Sequence, residues 1–258
     1  MSSKSTSYYS TTGFWARWEQ LTAPVTPELM LIAQLEVGER VVDIGCGAGV
    51  AAFAAAEAVG ELGRIVAFDL SEEALAIVRA RKVERGIANI DTAQGDMERN
   101  DIPGAPFDVA LNQFGLTFAI DLTATFVRIR NHLKPSGRCV FTAWADPEQN
   151  PLLPVPLMAK YRTVALEQDP FALANPIRTR ELLCRAGFED VSRQTVEITS
   201  VVPLEAIYDD AMLRPFDLDD SAFAHARKEI LASMSRYAVA DGYAAPLVFH
   251  VFRAINPQ

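Results

Sequence analysis

Cysteine, histidine, basic charge and long apolar runs are all scarce in this 258-residue chain, and each scarcity removes a class of function. Cys46, Cys139 and Cys184 lie far apart and outside metal-ligand spacing, which argues against a disulfide framework or a zinc site and predicts reduced, mostly buried thiols in a cytoplasmic setting. Lys and Arg total 24 against 33 Asp and Glu, a net charge of −9 that repels phosphate backbones and makes nucleic acid a poor partner. The longest apolar run, Ala48 to Val59, is broken by Glu57 and falls short of the roughly 20 residues of a membrane span. Met1 to Thr12 is rich in Ser, Thr and Tyr without an apolar core, so no export signal is expected.

What is present is ordinary for a folded α/β protein: 50% hydrophobic and 22% charged residues, in a length that suits one domain or a core with an appendage. Short β-branched runs alternate with Ala- and Leu-rich helical stretches, the pattern of repeated βαβ units and a parallel sheet. Strands are expected at 40–44, 64–69, within 91–96, at 107–111, 138–143, 188–196 and 247–255. Helices are expected over 26–35, 51–59, after Ser71, over 121–133, 157–168 and 179–186, and through most of 203–237.

Four segments carry chemistry, each after a strand. In Val41-Val42-Asp43-Ile44-Gly45-Cys46-Gly47-Ala48-Gly49 a buried strand ends in a turn with alternate glycines, which let the backbone approach a ligand closely beside a helix N-terminus. A dinucleotide fingerprint would put its third small residue where Val50 stands, which weakens a nicotinamide reading. Asp69 ends the second strand, where a carboxylate can accept both hydroxyls of a ribose. Asp96 and Met97 follow the third strand, placed to receive an adenine amino group and to pack on its ring. Asn112 and Gln113 end the fourth.

The runs VVDIGCGAG, VAFDLSEEAL, QGDM and FDVALNQFGLTFAID resemble the class I S-adenosylmethionine-dependent methyltransferases, in the branch that includes ubiquinone and menaquinone C-methyltransferases and many small-molecule enzymes. The resemblance spans residues 26 to 145. It implies a Rossmann-like, seven-stranded, mostly parallel sheet flanked by helices, with the last strand antiparallel between the fifth and sixth. It also implies an N-terminal lid (1–25), a cofactor-binding core (26–145) and a substrate side (146–258). The implied cofactor, S-adenosylmethionine, would be held by Asp43, Gly45, Cys46, Gly47, Asp69, Leu70, Asp96, Met97, Asn112 and Gln113.

The expected activity is methyl transfer to a small, largely apolar molecule by in-line displacement, resting on alignment and exclusion of water. No catalytic base is assigned: His250 lies mid-strand and His225 on a polar helix. Aromatic residues point to the acceptor pocket, with Trp15, Phe114, Trp144 and Tyr161 as candidates beside Phe14, Trp18 and Phe118. Strand-end placement aims Phe114 and Trp144 at the crevice, so Trp144→Ala should cut turnover and leave the fold. The chain is expected to act as a monomer or homodimer. Two rivals remain: an NAD-dependent oxidoreductase and a non-catalytic S-adenosylmethionine-binding protein.

Overall fold

The computed structural model describes residues 12–153, 160–161, 169–203 and 219–258. The expected helix at 157–168 therefore lies almost wholly outside the described residues, as do 204–218 and the side chain of Phe14. The strands are β1 (Arg40–Ile44), β2 (Arg64–Asp69), β3 (Ile90–Gln94), β4 (Phe107–Gln113), β5 (Leu133–Trp144), β6 (Glu189–Val202), the short β7 (Ala238–Val239) and β8 (Gly242–Ile255). They form one sheet in the order β3-β2-β1-β4-β5-β8-β6, with β7 paired to β8. β1 to β5 run parallel, and β8 lies antiparallel between β5 and β6.

Side chains alternate across this sheet, so each strand feeds two cores. Val41, Ile65, Ala67, Val109, Leu111 and Val140 face the helices α2 (Thr26–Ala33), α3 (Val50–Val59) and α4 (Glu72–Glu84). Val42, Ile44, Phe68, Ala110 and Phe141 face α5 (Leu122–Asn131) and α6 (Pro176–Arg185). Before these helices comes α1 (Thr12–Thr22), and after them α7 (Asp220–Met234), whose Ala226, Ile230 and Met234 join the first core.

Local chemistry sets the helix starts. The Ser71 hydroxyl accepts the Ala74 N–H, Asp121 accepts that of Ala124, and Asn175 accepts those of Ile177 and Arg178, each satisfying donors that a first turn leaves free. α6 thus begins at Pro176, three residues before the expected Thr179. β4 runs two residues past its expected end, and β8 starts at Gly242 rather than 247 because it continues a long hairpin with β6, from Ser192↔Arg253 to Val202↔Tyr243. Since β6 runs parallel to β5, this hairpin overhangs the carboxyl ends of the parallel strands. The Lys134–Gly137 turn lies inside β5 as an irregularity, with Ser136 at φ 63°. Of the cysteines, Cys46 and Cys139 are buried but Cys184 is exposed on α6, against expectation; all three are free thiols. Among the described residues, no helix is long and apolar enough to cross a membrane.

Candidate cofactor site

The glycine-rich loop hangs from the end of β2: the Gly45 and Cys46 N–H groups both donate to the Phe68 carbonyl, at 2.7 and 3.2 Å. Gly47 and Gly49 hold φ values of 51° and 89°, which side chains disfavour. Gly49 also brings α4 close, since a Cβ there would stand 2.9 Å from Cγ2 of Val78. The glycine that falls one residue early for a dinucleotide fingerprint thus starts α3 and admits α4.

Asp69 closes the loop. Its Oδ2 accepts the Gly47 N–H and its Oδ1 the Ser71 N–H, both at 2.8 Å, leaving further lone pairs on each oxygen for a ligand diol. Burial raises its pKa, while the N–H groups of Ser71, Gly47 and Leu70 act against that rise. Asp43 lies on the same sheet face and is 1% exposed. Neither of its oxygens has a hydrogen bond of normal geometry, the Ala52 N–H being the one donor near enough to favour its charge. Burial, and then the Asp69 charge, push Asp43 up to about 8. The Cys46 thiol is raised by burial and by both carboxylates, so it is a packed side chain rather than a nucleophile. Two buried acids, one of them unpartnered, thus lie on one face of the sheet at its carboxyl end.

The loop after β3 forms the next wall. Asp96 Oδ1 accepts the Glu98 N–H at 2.8 Å, and Met97 is half-buried against the second core. Glu98 Oε1 accepts the N–H groups of Ile120 and Asp121, which ties this loop to the segment after β4. The Leu70 side chain is 47% exposed, free to cover a flat ligand.

The side-chain amides of Asn112 and Gln113 are committed within the protein, which leaves their backbone as the part that can face a cofactor. Asn112 is 1% exposed; its Nδ2 donates to the Ile44 carbonyl and its Oδ1 accepts the Leu116 N–H, so it fixes the β4 end against β1. Gln113 donates to the Thr22 carbonyl and accepts the Thr26 hydroxyl, both at 2.9 Å, so it anchors the junction of α1 and α2.

The aromatic candidates divide similarly. Trp15 of α1 lies on Gly47, where a Cβ would stand 2.8 Å from its ring. Phe114 and Trp144 are each 1% exposed and stack on one another, centroids 3.6 Å apart and 4° from parallel, with Trp18 edge-on to Trp144 and Phe249 edge-on to Phe114. They form a buried floor rather than open faces, so the expectation that Trp144→Ala spares the fold is withdrawn: emptying such a site costs about 3–5 kcal/mol. The Tyr161 hydroxyl is spent on Glu229 Oε1 at 2.6 Å, which raises its pKa.

The histidines are also occupied. His250 Nε2 meets the Ala174 carbonyl and Nδ1 the Thr195 hydroxyl, both at 3.0 Å, and burial lowers its pKa. His132 Nε2 accepts the Ile102 N–H, which places its proton on Nδ1 toward the Arg128 carbonyl. His225 is exposed and bonds to the Ser221 carbonyl. Among the described residues no cluster of His, Cys, Asp or Glu suits a metal ion. Glu19 and Arg81 passed unnoticed in the sequence because they stand 62 positions apart; Thr142, whose hydroxyl accepts the Phe114 N–H, reads there as an ordinary strand residue.

Comparison with known proteins matches residues 35–169 to a methyltransferase domain family. Aklanonic acid methyltransferase from Streptomyces sp. strain C5 is 32% identical over 144 residues, 52% of this chain and 66% of that protein. A ubiquinone/menaquinone biosynthesis C-methyltransferase from Pseudomonas putida is 33% identical over 111 residues, 43% of each. The chain thus spans less than two thirds of either relative. The crystal structure of a putative methyltransferase from Bacillus halodurans superposes with a TM-score of 0.63 at 21% identity, over 90% of this chain and 99% of that one. The matched residues run from the end of α2 past the Gly loop, Asp69, Asp96 and the end of β5. By that match the chain belongs to the methyltransferase domain family.

Proposed function

We propose that this protein transfers the methyl group of S-adenosylmethionine to a small, largely apolar molecule. The observation that carries the reading is the pairing of Asp69, whose oxygens keep free lone pairs beside the glycine-rich loop, with the buried and unpartnered Asp43 on the same sheet face. A ligand with a ribose diol and positive charge satisfies both. Asp69 would hold the ribose, Gly45, Cys46 and Gly47 would lie against the methionine portion, Asp96 and Met97 would receive the adenine with Leu70 over its face, and Asp43 would stabilise the cation from beneath the loop. Asn112 and Gln113 would meet the ligand through their backbone, their amides being spent on shaping this crevice.

When bound, the cofactor supplies an electrophilic methyl, so the protein's part is to align an acceptor and keep water out. Trp15, closing over Gly47, would serve as a wall of the acceptor pocket, with Phe114 and Trp144 as its floor and Tyr161 toward α7. The occupied histidines support a mechanism without an imidazole base. The relatives named for aklanonic acid and for quinone biosynthesis support an apolar acceptor, and the net charge of −9 supports a small molecule over nucleic acid. A cytoplasmic monomer or homodimer with the lid, core and substrate side at 1–25, 26–145 and 146–258 completes the reading.

The test is calorimetric titration with S-adenosylmethionine, S-adenosylhomocysteine and NAD, followed by transfer of a labelled methyl to a panel of polyketide and quinone acceptors. Micromolar binding of the first two and label in a product are expected. NAD binding in their place would return the oxidoreductase reading, and binding with no transfer to any acceptor would favour a non-catalytic role.

A further inference from the structure

We infer that Arg81 is a positioning residue that latches α1 over the glycine-rich loop and so keeps Trp15 in place as a wall of the crevice. Arg81 lies in the last turn of α4, whose dipole favours a cation there. Its Nη2 donates to Glu19 Oε2 on α1 at 2.7 Å, and its Nη1 to the carbonyl of Ala48 at 3.2 Å, between the two glycines of the loop. One guanidinium therefore joins lid to loop, with both partners of the ion pair only 26% exposed. A planar fork reaches two separated acceptors from two nitrogens in a fixed geometry, whereas an ammonium has one nitrogen to share between them.

The spacing along α1 explains why the latch governs Trp15. Trp15, Trp18, Glu19 and Thr22 recur at intervals of three and four and share one helix face. That face meets Gly47 through Trp15, Trp144 through Trp18, Arg81 through Glu19 and Gln113 through the Thr22 carbonyl. Leu21, at 1% exposure, and the Gln113 bond pin the C-terminal end. An 11-residue helix is marginal on its own, so the position of its N-terminal half depends on such contacts. Releasing the guanidinium frees that half, and Trp15 with it, while the Thr22 end holds.

All three tryptophans of the chain, Trp15, Trp18 and Trp144, lie at this seam, so intrinsic fluorescence reports on it. The latch is tested without ligand by amide hydrogen exchange over residues 12–22 and by tryptophan emission, in wild type, Arg81→Gln, Arg81→Lys and the exchanged pair Glu19→Arg/Arg81→Glu. Arg81→Gln should raise exchange in α1 about tenfold and shift emission, with the melting temperature within about 4 °C of wild type. Lys should fall between, and the exchanged pair should recover part of the protection. Should Arg81→Gln unfold the protein, Glu19→Gln reads the same contact while leaving the Ala48 bond. Wild-type exchange in α1 of the folded variant would overturn the inference. Its link to the reaction rests on the cofactor reading above, and the second readout is release of S-adenosylhomocysteine by stopped-flow fluorescence, expected to quicken about five- to tenfold in Arg81→Gln. Wild type that fails to bind this ligand would sink the cofactor reading and leave the exchange result to decide the latch; faster exchange with unchanged release would overturn the role in positioning.

Discussion

At the amino end of the sheet, Arg138 donates to both oxygens of Glu39, at 2.7 and 2.8 Å, and also to the carbonyls of Ala33 and Gln34 at the end of α2. Lys134 and the Arg40 N–H satisfy Asp108 beside it. At the carboxyl end of the same strands, Asp43 is buried with no such partner, and Asp69 lies close enough to raise its pKa further. The same residue type therefore titrates in opposite directions at the two ends. Burial acts to raise Asp108, but Lys134, the Arg40 N–H and the Arg138 charge outweigh it and hold it below the ordinary range, whereas Asp43 rises to about 8. Paired charge at one end stabilises the fold, whereas the unpartnered carboxyl at the other is held protonated in the ligand-free fold, and ionising it costs stability that a cationic ligand can offset.

Four measurements can break or sharpen this contrast. Arg138→Ala leaves the half-buried Glu39 without its ion-pair partner and the Ala33 and Gln34 carbonyls without this donor, and should cost about 2–3 kcal/mol in chemical denaturation. The affinity of the folded variant for S-adenosylhomocysteine should stay within about twofold, because the two ends share no contacts; a large affinity loss would join ends that we separate. Asp69→Asn should act the other way, weakening that ligand about a hundredfold or more by removing charged acceptors, at a smaller cost in stability of about 1–2 kcal/mol because one of the Gly47 and Ser71 N–H groups loses its acceptor.

The third concerns pH. Between 3.8 and about 8 an unfolded Asp43 has lost its proton while the folded one keeps it, so its contribution is fully present below that range and fades as pH rises through it. Asp108, lowered in the folded state, contributes above the ordinary carboxylate range and is lost as pH falls through its depressed value. Stability of the ligand-free protein should therefore decline from pH 5 to pH 8, and Asp43→Asn should flatten that decline. An identical slope in the variant would mean that Asp43 is already ionised. The smallest effect is expected from His250→Gln, which loses hydrogen bonds to Thr195 and Ala174 and should cost about 1 kcal/mol while turnover stays within about twofold. A collapse of turnover with the fold intact would give the reaction an imidazole base.

Much of the fold was legible because each β-α repeat is local: strand alternation, the caps at Ser71 and Asp121 and the glycine stops lie within a few residues of what they control. The placement of the Gly loop, Asp69, Asp96 and Met97 at the carboxyl ends of the first three strands was legible for the same reason, each lying at or just past the end of its strand. The bonds of Asn112 and Gln113 were not legible, because position at a strand end says that a side chain is near the crevice, not which hydrogen bonds it spends on Ile44, Leu116, Thr22 and Thr26. The burial of Phe114 and Trp144 was not legible because their stacking depends on register between β4 and β5 and on Phe249 from β8, a strand more than a hundred residues on.

By itself, then, the sequence determined the parallel core, the order of its loops and the acids that end β1 and β2, since periodicity and turn chemistry act over short spans. Tertiary structure alone decided that Asp43 stands unpaired while Asp108 is satisfied, that Gln113 serves the lid, and that Arg81 meets Glu19 across 62 residues. Those outcomes follow from burial and from hydrogen-bond partners supplied by distant segments, which no local pattern encodes.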